Sequence, residues 1–186
     1  MEPVFTMQYG EFAVADYLSQ KIKNKKVSVF IPCSAQEKGI DLMLYHYCGL
    51  KNLTTTIQVK MSRTYYNRQK LYKGYPYYLS FNRFAIQENA DWYILVGTYA
   101  KLSANINANV KSTKWDTIML AFTHDEMKDF MNNVKQKRNP MKDDIMFGFG
   151  FDDARKIVQI RGTQTYRDMS KYLIEKRIND IENTLK

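Results

Sequence analysis

The sequence predicts a mixed α/β (α+β) fold, a central sheet with helices on its faces. Three observations carry this. Residues 10–24, GEFAVADYLSQKIKN, place Ala15, Leu18 and Ile22 on one helical stripe with Val14 alongside. Three segments with alternating polarity follow at once, KVSVFIPC, IDLMLYHY and TTTIQVKMS. Further strand segments then give way to helical signals near the C-terminus, and that order is the mark of a sheet flanked by helices.

Taken in turn, SAQEKG reads as the turn between the first two strands and HYCGLKN as the connection to the third. Residues 64–84, TYYNRQKLYKGYPYYLSFNRF, are aromatic and basic and lack a helical period, so they read as an insertion. ADWYILVGTYA and DTIMLAF are strands, separated by a polar, Asn-rich loop with three lysines. THDEMKDFMNNVKQ opens with Thr123 followed three residues on by Glu126, a capping box that starts a helix. MFGFGF and KIVQIRG flank DDAR and read as a hairpin. The tail, residues 162–186, is expected to be a C-terminal helix anchored by Tyr172, Ile174, Ile178 and Ile181. The 186 residues fit a single domain, 1–186, large enough to bury a core.

The net charge is +9, from 28 Lys and Arg against 19 Asp and Glu. A polyanion is the partner class this implies, nucleic acid first and an acidic membrane surface second. The plain alternative is a basic surface that only keeps the protein soluble. The two cysteines, Cys33 and Cys48, lack CxxC spacing and a histidine cluster, so buried free thiols are expected, with no disulfide and no zinc site. The N-terminus has no basic region followed by an apolar one, and no apolar run reaches the ~18 residues of a membrane span. A cytoplasmic protein, not held in a membrane, is the expectation.

The chemistry-bearing pattern lies in the second and third strands. Folded as a hairpin about Gly49 and Leu50, they set Asp41 opposite Gln58, and directly opposed residues share a face with β-carbons ~5 Å apart. Lys60 has the parity of Gln58, while Ile40, Leu42, Leu44, Ile57 and Val59 point the other way. One carboxylate, one amide and one ammonium then share a side of an otherwise apolar hairpin, and a register slip of one residue would disperse them. Glu11 heads the helix stripe that includes Ala15, Leu18 and Ile22. It either approaches the same site or stays solvated in the first turn, where the helix dipole favours it. These residue types suit phosphodiester hydrolysis. A divalent cation cancels the charge that repels nucleophiles and acidifies a water. Mg²⁺ needs only one or two carboxylates. The loss of one electrostatic stabiliser such as Lys60 costs roughly 2.7–4 kcal/mol. The alternative for Asp41, Gln58 and Lys60 is the solvated polar face of an edge hairpin.

In this setting the pattern resembles the PD-(D/E)XK nuclease superfamily, whose core is the restriction-endonuclease-like fold. The family order is a helix with a Glu, a strand, a strand carrying the Asp, then a strand carrying (D/E/Q)xK. Here it reads GEFAVADYL, KVSVFIPC, KGIDLMLYH and TIQVK, over roughly the first third of the chain, and ADWYILVG resembles the next core strand. The resemblance implies a metal-dependent DNA endonuclease of restriction or repair type, with Mg²⁺ or Mn²⁺ as cofactor. It implies that Glu11 and Asp41 are acidic site residues, Gln58 the third site position and Lys60 the catalytic lysine. Glu11, Asp41 and Gln58 would be the metal-side residues. Ile40 stands where the name-giving Pro often stands. Gln58 replaces the usual acid and removes one negative charge. The Tyr-rich stretch occupies the place of the helix that normally follows the lysine strand.

Substrate contacts are expected after the lysine strand, where basic residues and aromatics interleave. Arg63, Tyr66, Arg68, Lys70 and Lys73 are the candidates there, with Lys111 and Lys114 from the Asn-rich loop. The alternative is a packing segment and a solvated loop. His46 and His124 read as structural, and the pairs Asp143–Asp144 and Asp152–Asp153 as turn residues. DNA is the expected partner, with a second copy of the chain or a partner protein docked through the C-terminal helix as a further one. A catalytically inactive nucleic-acid-binding or interaction module on the same fold is the competing function.

Overall fold

The computed structural model describes residues 9–32, 38–49, 51–67, 72–100, 115–134, 137–139, 142–161 and 165–185. In chain order the elements are α1 (Tyr9–Lys21), β1 (Val27–Phe30), β2 (Leu42–Tyr47), β3 (Asn52–Tyr66), β4 (Tyr77–Asn82), β5 (Trp92–Ala100) and β6 (Trp115–Thr123). They continue with α2 (His124–Asn133), β7 (Lys137–Asn139), β8 (Lys142–Phe151), β9 (Ile157–Arg161), a 3₁₀ turn (Ser170–Tyr172) and α3 (Ile174–Asn183). The class is α+β, with a large, mostly antiparallel open sheet and three α-helices among the described residues.

β3 organises the sheet. Its first part runs antiparallel to β2, from Tyr47↔Asn52 to Leu42↔Ile57. Its middle runs parallel to β5, from Ile57↔Trp92 to Arg63↔Thr98. Its end turns antiparallel to β4, from Thr64↔Leu79 to Tyr66↔Tyr77. β1 extends the sheet beyond β2, and β6 beyond β5. The β2–β3 turn is tight because Gly49 takes φ +76°, which costs a glycine little, and the Cys48 N–H donates to Lys51 O.

Two cores lie on the two faces of this sheet. On one, Val14 and Leu18 of α1, Ile22 just after it and Ile181 of α3 meet Leu42, Leu44, Ile57, Val59, Ile94 and Val96. On the other, β5 and β6 are covered by a second layer, because the end of β3 carries β4, β8 and β9 back over them. Tyr77, Leu79 and Phe81 of β4 and Phe147, Phe149 and Phe151 of β8 fill that core with Phe130 of α2. β5 is buried on both sides, which is why WYILVG reads as a continuous apolar run. In FGFGF the phenylalanines point into this core and the glycines, also buried, lie on the opposite side of the strand, by the period of two.

Several sequence expectations are met. The capping box forms, with the Glu126 N–H donating to Thr123 Oγ1 at 3.2 Å and the Thr123 N–H to Glu126 Oε2 at 3.0 Å. β8 and β9 pair as the expected hairpin. Others are corrected. The tail is helical only from Ile174, because Leu173 is extended (ψ 131°) and bridges Leu120 while Asp168 bridges Val158. Tyr172 is an anchor outside the helix, stacked on Phe122 at 4.2 Å. Residues 64–66 and 77–82 are strand, with Tyr77, Leu79 and Phe81 buried at alternate positions. Cys48 is free but exposed, since it sits at the hairpin turn, and Cys33 lies outside the described residues.

The outer glycines permit a close approach that generates a stability prediction. A Cβ on Gly148 would lie 2.6 Å from the Leu79 carbonyl oxygen, a backbone atom that cannot swing aside. Gly148→Ala is expected to cost about 1–3 kcal/mol, the usual range for overpacking, read as a lowered midpoint in urea denaturation. An unchanged midpoint would contradict this packing.

Candidate active site

β3 changes partners along one edge, and the site is the gap this leaves. Ile57 O accepts the Asp41 N–H on that edge, and the Asn67 N–H reaches Pro76 O beyond β4 on the same edge. The opposite edge belongs to β5, where Thr56 O accepts the Asp91 N–H. β2 leaves at Ile57 and β4 joins at Thr64, so no described strand covers Gln58 to Arg63 on the first edge. A cavity of about 330 Å³ opens there, lined among others by Lys60, Ser80, Asn82, Arg83 and Gln87.

Asp41 stands at the last point of contact with β2. The ladder pairs Leu42 with Ile57, so the next step of the register faces Asp41 toward Gln58. The chain departs from the ladder at that step. The Asp41 N–H donates to Ile57 O at 2.9 Å, and its carboxylate turns along the strand edge. There Oδ2 accepts the Val59 N–H at 2.6 Å, a charge-assisted bond one peptide unit from Gln58. Among the described residues Oδ1 accepts no hydrogen bond.

Gln58 is almost wholly buried, 3% exposed, and its Oε1 has no hydrogen-bond partner. Leaving a buried amide oxygen unpaired costs about 1–3 kcal/mol, so such an atom calls for an explanation. Lys60 shares the side of Gln58 by alternation, is exposed and lines the cavity. The Asp41 carboxylate therefore bonds the residue between Gln58 and Lys60, which share one side of β3.

Glu11 comes from elsewhere. α1 packs on the face formed by Ile57 and Val59, with Gly10 against Met61, where a Cβ would lie 3.1 Å from the Met61 Cβ. Glu11 thus stands half-buried at the start of a helix on the opposite face of β3 from Gln58 and Lys60. Arg63 is exposed at the far end of the gap. Tyr66 packs its ring on Tyr77 (5.4 Å) and donates its hydroxyl to Ala100 O. Lys73 is exposed, and its N–H donates to Tyr166 Oη. Arg68, Lys70, Lys111 and Lys114 lie outside the described residues.

The histidines hold structure: His46 Nδ1 bonds Leu185 O at 2.8 Å and His124 Nδ1 bonds Ala90 O at 3.1 Å. Asp152 accepts the Lys156 N–H within its turn. Asp143 and Asp144 fall in β8.

The sequence reading missed the far wall of the gap. Ser62 Oγ donates to Ser80 O at 2.9 Å and accepts the Ser80 N–H at 3.0 Å, taking the place of a ladder bond. Arg83 follows β4 with φ +54°, a conformation that costs a non-glycine residue of order 1–3 kcal/mol and recurs at functional sites. No spacing in the sequence joins residues 80–87 to Lys60; only the return of β4 onto β3 does.

A divalent cation suits part of this set. Mg²⁺ takes oxygen ligands and keeps several waters. Asp41 and Gln58 each offer a side-chain oxygen at this part of β3, the Gln58 one buried and unpaired. No group of three His, Cys, Asp or Glu occurs among the described residues, so waters would make up the rest. No described helix is long and apolar enough to cross a membrane.

The Asp41–Val59 bond generates a stability prediction separable from chemistry. Asp41→Ala leaves the buried Val59 N–H unpaired and is expected to cost about 1–3 kcal/mol. Asp41→Asn keeps an acceptor and is expected to lose less, so equal midpoints for the two variants in chemical denaturation would count against the bond. Comparison with protein-family models, with curated proteins and with solved structures finds no match for this chain.

Proposed function

We propose that the chain is a metal-dependent DNA endonuclease on a restriction-endonuclease-like core, a member of the PD-(D/E)XK superfamily. The order α1-β1-β2-β3, with β5 parallel to β3, is consistent with that core. The observation that carries the reading is the buried, unpaired Oε1 of Gln58, the residue before the Val59 that Asp41 bonds, with Lys60 two residues on lining a cavity. A structural hairpin gains nothing from an orphaned amide oxygen. A site that binds a cation does.

The residues divide the work as follows. Asp41, its carboxylate fixed by the Val59 N–H, and Gln58 would hold Mg²⁺ or Mn²⁺. The cation, when bound, would offset phosphodiester charge and lower the pKa of a water. Lys60 lines the cavity as an exposed ammonium, suited to stabilise charge growing on the phosphoryl oxygens. Arg63 at the far end of the gap would contact a neighbouring phosphate, which positions the strand without reading sequence. The net charge of +9 supports a polyanionic substrate.

The test is cleavage of supercoiled, linear and branched DNA with Mg²⁺ or Mn²⁺. Asp41→Asn and Lys60→Ala are each expected to lower the rate about 10²–10³-fold or more while the protein stays folded. Cleavage by wild type and both variants at one rate, or by none of them on any DNA form, would overturn the reading. In the second case, salt-sensitive binding without metal dependence would leave a nucleic-acid-binding module.

A further inference from the structure

Beyond the Lys60 cavity, the outer side of the β3–β4 pair carries rings and a cation that the proposed chemistry does not use. Tyr65 is 42% exposed and lies face to face on Tyr78, with ring centroids 5.1 Å apart and planes 18° apart. Tyr72 meets the Tyr78 ring edge-on at 5.1 Å. Arg161, from β9, stands 6.0 Å over the Tyr78 ring. Its guanidinium is fixed, with Nε donating to Tyr72 Oη at 2.8 Å and Nη1 to Ser80 Oγ at 2.9 Å. The glycines at 148 and 150 leave room for close neighbours on this side, since a Cβ at 148 would lie 2.6 Å from Leu79 O and one at 150 would lie 2.7 Å from Ile160 and 3.1 Å from Tyr75.

Arg161 has no carboxylate within ion-pair distance among the described residues, unlike Arg155 and Arg177, each of which faces an acid. A half-buried cation held by neutral groups alone is an arrangement that an anion would complete. Ser80, which holds Arg161, also lines the Lys60 cavity, so the two features share a wall.

We infer that this surface binds an unpaired nucleic-acid strand: a base stacks on the open face of Tyr65, and a backbone phosphate meets Arg161. A flat aromatic face beside a fixed cation is what single strands use, because every unpaired base offers a π-face and every link a phosphate. A base inside a duplex is already stacked on both sides and cannot lie on Tyr65. A protein partner would have to bring a carboxylate to Arg161, and the charge of +9 favours the polyanion. That the bound strand is the substrate, so that cutting occurs beside single-stranded DNA, rests on the nuclease reading; the binding itself does not.

The test reads binding alone, by fluorescence anisotropy without divalent cation, using a short labelled oligothymidine and a blunt hairpin duplex. Wild type is expected to prefer the oligothymidine. Tyr65→Leu, which keeps an apolar contact on Tyr78 but removes the ring, is expected to weaken it roughly 5- to 100-fold, and Tyr65→Phe to retain it. Arg161→Gln is expected to reduce the slope of log affinity against log salt by about 0.7, one phosphate contact fewer. Duplex binding should change less in all three. Preference of wild type for the duplex would overturn the inference. So would wild-type affinity for the oligothymidine in both Tyr65→Leu and Arg161→Gln, each with a native thermal melt. Binding as expected without any DNA cleavage would refute the nuclease reading and leave this inference standing.

Discussion

A strand that outruns its neighbours must find other partners for its backbone. β3 is fifteen residues long, whereas β2 covers only its beginning and β4 only its end. Buried N–H and C=O groups do not go unpaired without cost. Along the uncovered edge, polar side chains take over from strands: the Asp41 carboxylate receives Val59, and Ser62 exchanges hydrogen bonds with the backbone of Ser80. The edge that side chains close is also the edge a ligand can reach. The ladder's gap and the candidate site are one feature.

The rest of the fold keeps that gap open. α1 and α3 seal one face of the sheet, and the β4–β8–β9 layer seals the other. β5, buried on both sides, locks the opposite edge of β3. The phenylalanines of β8 fill the space under the second layer while the glycines between them spare its outer side. With both faces and one edge committed, the segment from Gln58 to Arg63 stays extended, with Gln58 buried and Lys60 exposed on the same side. Rigid support of this kind is what preorganised electrostatics requires.

Gln58 has a different character from its neighbours. Asp41 Oδ2 has a backbone donor, and Lys60 is exposed at the cavity. The buried amide oxygen of Gln58 has neither solution. As a neutral amide Gln58 adds no formal charge, so the carboxylate beside it comes from Asp41, bonded to Val59. The chemistry proposed for the edge therefore leans on Asp41 and on the orphaned oxygen together.

Local rules were enough to read much of this in the sequence. Alternation located β2 and β3, a continuous apolar run located β5, the capping box located α2, and a glycine turn fixed the hairpin register that brings Asp41 toward Gln58. Each depends on neighbours a few residues apart, which composition and period encode. Three things depended on tertiary structure. Where β2 leaves β3 decided that the Asp41 carboxylate caps Val59 instead of lying over the sheet. The return of β4, hidden in a Tyr-rich stretch that offers no helical period, brought Ser80 and Arg83 to Lys60. The tail traded half its expected helix for bridges to β6 and β9, because burying Tyr172 against Phe122 outweighed helical propensity. The sequence by itself determined which residues lie on which face of each element, since the peptide geometry fixes those periods. Only the packed chain decided which elements meet, since contacts between distant segments are set by the burial of whole faces and by backbone groups seeking partners.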